Sequence, residues 1–169
     1  FRNIYLSPRP SIEALTTFYM ESKGRRFWLT ELWPQTMDVR REKIILPQLE
    51  WAQGFLAQYT TGNNLTLAEF LPAHWGYSLE SKEVFPNSNY ELVEILFNPS
   101  EAEGALTGLK MVEKVENDSL DAAMLFEALD RSLNPSVLLE NVKHMLKPGA
   151  LCFVTCLLSS GFEVQVLGK

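Results

Sequence analysis

The stretch Ala150 to Leu157 reads A-L-C-F-V-T-C-L: eight residues with no charge, no proline and no polar alternation. A strand of this texture is built for burial on both faces. That is the signature of a parallel sheet covered by crossover helices. It follows Pro135 to Leu146, where Val137, Leu138, Val142, Met145 and Leu146 recur at helical spacing, and Lys147-Pro148-Gly149 ends that helix. The same alternation runs upstream. Leu65–Leu71, Tyr90–Phe97, Leu109–Val112 and Asp121–Glu127 read as strands, and Tyr77–Val84 reads as a helix. Together they predict an α/β domain with a parallel sheet.

The first third has a different texture. Ser11 is placed to cap a helix carrying Ala14, Leu15 and Phe18, with Gly24 as its stop. Pro34 suits the first turn of a longer helix that runs to Tyr59, and Pro47 predicts a kink or two consecutive helices. The chain therefore divides into a helical lead-in over 1–62 and a sheet domain over 63–169. Phe18, Tyr19, Phe27, Trp28 and Trp33 are expected to pack that lead-in together, in a region that could also serve as a lid.

Composition narrows the function classes. With 169 residues, 46% of them hydrophobic and 21% charged, the chain is a single globular domain with an appendage. Its longest apolar run is strand-sized, so no membrane span is expected. A net charge of −6 argues against nucleic acid as a partner. The early basic residues, Lys23, Arg25, Arg26, Arg40, Arg41 and Lys43, read as a solvated face. Cys152 and Cys156 are too far apart along a strand, about 13 Å, for a disulfide. They are expected to be buried thiols of a reducing, cytoplasmic compartment. His74 and His144 lack the neighbours a metal site needs, so no metal is expected.

Several motifs carry a resemblance. Lys147-Pro148-Gly149 before an apolar strand resembles the L-K-P-G-G signature of class I S-adenosylmethionine-dependent methyltransferases. Asp121 to Arg131 is similar to that family's fourth strand and loop, Asn134-Pro135 to its next helix start, and Asn98-Pro99-Ser100 to the turn after strand two. Leu109 to Glu113 is similar to strand three. The lead-in through Tyr5 to Ser11, Phe18-Tyr19 and Phe27-Trp28 resembles a bacterial subgroup acting on sugars and natural products. The resemblance implies a Rossmann-like methyltransferase fold with sheet order 3-2-1-4-5 and strands six and seven missing. It places the cleft at the carboxyl ends of strands one and four.

Carried over residue by residue, the resemblance puts cofactor-binding positions at Glu69, Ala73, Gly76, Asn98 and Glu116, and a weak catalytic candidate at Asp130. The departures are specific. Leu71 and Ala73 stand where glycines let the backbone approach the cofactor, with Pro72 between them. Asn98 replaces a ribose-binding carboxylate. Arg131 replaces a histidine base and cannot accept a proton. The expectation is a degenerate, pseudo-enzyme module that binds S-adenosylmethionine weakly or not at all. The alternative is an active methyltransferase for a sugar or other small acceptor. An uncharged strand five also predicts a covering partner, another protein chain or a second copy, unless the tail from Gly161 to Leu167 folds back over it.

Overall fold

The computed structural model describes residues 10–60, 62, 64–102 and 109–157. The expected fold-back segment, Gly161 to Leu167, lies outside the described residues. Five strands, β1 (Thr66–Phe70), β2 (Asn89–Val93), β3 (Lys110–Val112), β4 (Leu120–Phe126) and β5 (Leu146–Thr155), form one sheet in the order β3-β2-β1-β4-β5. Every pairing is parallel. The sheet order is the one expected, with β1 at its centre and the order reversing between β1 and β4.

The strands owe their place to two-sided burial. Leu67, Ala122, Met124 and Phe126 enter a core on one face, with Leu49, Ala52 and Leu56 of α4 (Leu46–Tyr59) and Tyr77 of α5 (Gly76–Val84). Ala68, Phe70, Ala123 and Leu125 enter a second core on the other face, with Val142 of α7 (Pro135–Met145). At about 25 cal/mol per Å² of apolar surface, this double burial is what holds the sheet.

The lead-in folds as α1 (Ile12–Glu21), α2 (Lys23–Phe27) and α3 (Trp33–Arg40), followed by α4. The first helix stops at Ser22, not at Gly24, which lies inside α2. Ser22 is extended (φ −67°, ψ 132°), and its hydroxyl accepts from the Arg25 N–H, so it ends one helix and caps the next. The break expected at Pro47 takes the form of a π-helical turn over Arg41–Ile45, just before α4. A wider turn there accommodates the N–H that proline lacks. A matching turn, Trp28–Leu32, precedes Pro34.

Three expectations need correction. Strand two is shorter than Tyr90–Phe97: Glu94 turns left-handed (φ +52°) and ends the ladder at Val93, although the Leu96 N–H still reaches the Pro72 carbonyl at 2.9 Å. Strand five starts at Leu146, four residues early, because the ladder tolerates a register shift opposite Leu120 and Ala122, with Gly149 at φ +82°. Cys152 and Cys156 are exposed, not buried. Phe153 faces Trp51 of α4, with ring centres 5.2 Å apart, whereas Cys152 and Val154 face the other side. There α7 is anchored by Val142 over the inner strands and leaves them open.

Candidate functional site

The carboxyl ends of β1 and β4 meet at the switch point of the sheet, where ligands of open α/β folds gather. Two residues past Glu69, Leu71 takes a left-handed backbone (φ +51°). That conformation is natural for glycine and costs a branched side chain on the order of 1–2 kcal/mol. The turn is thus kept in its glycine shape while a leucine occupies it.

Two arginines bind the backbone of this crevice. Arg131, on the short helix α6 (Ala128–Arg131), donates from Nε to the Leu71 carbonyl at 3.2 Å and from Nη2 to the Phe126 carbonyl at 2.7 Å. It thereby ties the end of β1 to the end of β4, and it pairs with Glu127 at 3.5 Å. Arg25 of α2 donates from Nη2 to the carbonyls of Ala73 and, at 2.8 Å, Leu96, and from Nε to the Tyr19 carbonyl at 2.9 Å. The loops after β1 and β2 are therefore held by a cation from the lead-in. Arg25 is thus not part of a solvated face: its partners lie 48 and 71 residues away, and no local pattern announces them.

Gly76 opens α5. A Cβ built there would meet Ile45 Cδ1 and Trp33 Cζ2, each at 2.8 Å. The absence of a side chain lets the lead-in helices press onto the loop. His74 stacks on Trp33 (ring centres 4.2 Å, interplanar angle 30°) and on Tyr77 (5.7 Å, 19°). Its Nδ1 accepts the Gly76 N–H at 3.2 Å. Burial, then the charges of Arg131, Arg40 and Arg25, pushes the His74 pKa down to about 3. The imidazole is neutral at physiological pH, with its proton on Nε2.

The remaining expected positions do not converge. Glu69 points into the core at 2% exposure, and its Oε2 accepts from Ser78 Oγ (3.2 Å) and Tyr90 Oη (3.1 Å). Burial lifts its pKa to about 7. Asn98 is exposed and accepts from the Ser100 N–H at 3.1 Å and its hydroxyl at 2.9 Å, starting the 3-10 turn Pro99–Ala102. Glu116 is an exposed residue of the turn after β3. Ala73 and Asp130 both border a cleft of about 700 Å³ between the lead-in helices and the sheet, and Asp130 accepts the Leu157 N–H at 3.1 Å. That cleft is bordered also by Trp28, Arg40 and Tyr77. Among the described residues, no cluster of three or more His, Cys, Asp or Glu side chains could hold a metal, and no helix is long and apolar enough to cross a membrane.

No protein-family model and no curated protein sequence matches the chain. Among solved structures, the chain is similar to one from the complex between the Haloferax volcanii Trm112 methyltransferase activator and the candidate methyltransferase. The TM-score is 0.50 and the identity 18%, over 76% of this chain and 58% of that one. The chain therefore spans less than two thirds of the solved chain. At this identity the likeness speaks for the fold: a Rossmann-like sheet of the methyltransferase type, in agreement with the strand order 3-2-1-4-5.

Proposed function

We propose that this chain is a methyltransferase-type module whose cofactor crevice is occupied by its own side chains and which works by binding a protein partner. The observation that carries the reading is Arg131, whose guanidinium bonds the carbonyls of Leu71 and Phe126 across the switch point. A positively charged cofactor would have to compete for the same carbonyl cage with a cation already tethered there. Three further features act in the same direction. Leu71 holds its turn left-handed while its side chain packs on the core beside Phe70 and Val142, Arg25 takes the Ala73 and Leu96 carbonyls, and Trp33 with Ile45 fills the space that Gly76 leaves open. Asn98 spends its carbonyl oxygen on its own turn. The residues present do not fit S-adenosylmethionine.

Support for a protein partner comes from two sides. The similar solved chain belongs to a complex with an activator protein. Among the described residues no strand pairs with the outer edge of β5, and Val154 and Cys152 lie exposed on one of its faces. A second copy or another chain would cover that side.

Calorimetry with S-adenosylmethionine and S-adenosylhomocysteine tests the crevice. The reading expects no saturable heat at ligand concentrations up to about 1 mM, where binding is worth only about 4 kcal/mol. A micromolar dissociation constant would return the chain to the active transferases, acting on a sugar or other small acceptor. Sedimentation of the purified chain at micromolar concentration tests the partner half: self-association or a stable complex is expected, and a soluble monomer that captures nothing counts against it.

A further inference from the structure

The 700 Å³ cleft under the lead-in helices lies within the size range of small-molecule sites, and a scaffold has no need of it. Its wall is a series of stacked groups. The Arg40 guanidinium lies 5.6 Å from the Trp28 ring centre and 5.3 Å from that of Trp33. Trp33 stacks on His74, and His74 on Tyr77. Flat rings and a cation thus share one surface.

The charges around the cleft differ in how they are engaged. Arg131 is tied to strand-end carbonyls and to Glu127. Arg25 is tied to the loop carbonyls. Asp130 accepts a backbone N–H. Arg40, half-buried, donates from Nε to Thr36 Oγ1 at 3.2 Å and forms no ion pair among the described residues. Among the described residues, its forked Nη groups carry a charge met by ring faces and by no carboxylate. Two neutral donors lie in the same wall: His74 Nε2–H and the Trp33 indole N–H. The latter is buried and has no acceptor among the described residues. Buried donors of this kind are uncommon in native proteins, and an oxygen from outside the chain would satisfy one.

We propose that this cleft binds a small planar ring bearing an anionic group, a carboxylate or a phosphate, with the ring beside half-buried Trp28 and the anion on Arg40. A guanidinium fork matches both anions in a bidentate manner, whereas aromatic faces take the ring. Glu127 and Asp130 also border the cleft and disfavour an anion placed beside them. The proposal goes beyond the partner-binding reading but rests on its tied arginines, since Ala73, Arg25 and Arg131 border this cleft too; binding of the anionic probes, read separately from that of S-adenosylmethionine, distinguishes the two.

The test is calorimetry on the whole chain with three probes sharing one ring: 2-naphthoate, 2-naphthyl phosphate and neutral 2-naphthol. At least one anion should bind saturably and about tenfold or more tightly than 2-naphthol, and the stronger of the two identifies the anion. Arg40→Gln should remove that advantage, and Arg26→Gln, at an exposed residue of α2 outside the cleft, should keep it. Equal binding of 2-naphthol, no saturation by either anion, or an anion advantage that survives Arg40→Gln would overturn the proposal. The probe comparison on the unaltered chain decides even where Arg40→Gln folds poorly.

Discussion

The strand-end carbonyls at the carboxyl end of this sheet and the cleft beside them engage their cations oppositely, although Arg25, Ala73 and Arg131 border both. At the switch point, Arg131 and Arg25 consume the carbonyls of Phe126, Leu71, Ala73 and Leu96. Beneath α2 and α3, the lead-in helices leave about 700 Å³ bordered by rings and Arg40. The difference lies in what the cations face. A guanidinium with a carbonyl cage is a structural tie, neutralised by dipoles. One that faces only rings keeps its charge available. The carboxyl end of such a sheet can thus have its backbone tied by self-contacts while the cleft that the same residues border stays open.

The largest effect expected on the closed side belongs to Glu69. Its folded pKa of about 7 lies above the ordinary 4.5, because burial outweighs the bonds from Tyr90 and Ser78 and the charge of Arg131. A raised acid stabilises the fold fully below its unfolded pKa and loses that contribution as pH rises through the folded one. Unfolding free energy should therefore fall by on the order of 3 kcal/mol between about pH 4.5 and pH 7. Glu69→Gln should abolish the fall and be the more stable protein above pH 7, because one amide oxygen can accept both hydroxyls. Denaturant titrations across that range check it.

Next in size is the contact that seats the lead-in. Gly76→Ala places a methyl group 2.8 Å from both Trp33 and Ile45. It should cost about 2 kcal/mol through overpacking, although alanine is ordinarily the better helix residue. Chemical denaturation gives the number, and Trp33 fluorescence reports whether the stack on His74 separates.

The smallest effect concerns Leu71. In a left-handed turn the usual order of glycine and alanine reverses, so Leu71→Gly should be more stable than Leu71→Ala by about 1 kcal/mol. A thermal melt of the two variants decides it. Alanine at least as stable as glycine would remove the backbone part of the argument.

The sheet was legible in the chain because its strands are short, largely apolar runs, of which Leu120–Phe126 is buried on both faces. The helix between β4 and β5 was legible because its apolar positions repeat at helical spacing. Exposure of Cys152 was not legible: an apolar strand at the sheet's edge reads like one at its centre, and only the placement of α7 distinguishes them. The candidate site was legible in its departures, Leu71, Asn98 and Arg131, but not in their consequence. That Arg131 ties two strand ends and that Arg25 reaches Ala73 and Leu96 are contacts made by folding, with no periodic or local signal. Gly76 shows the same limit: it reads as a survivor of a cofactor loop, yet its bare Cα is filled by Trp33 and Ile45.

The closed crevice is tested most directly by nitrogen-15 NMR of the chain titrated with S-adenosylmethionine. The backbone amides of residues 70–76 and the Nε–H of Arg131 should keep their positions up to about 1 mM ligand. A saturable shift of those resonances at micromolar concentration, with the Arg131 signal displaced, would mean that the arginine yields to the cofactor, and it would contradict the account.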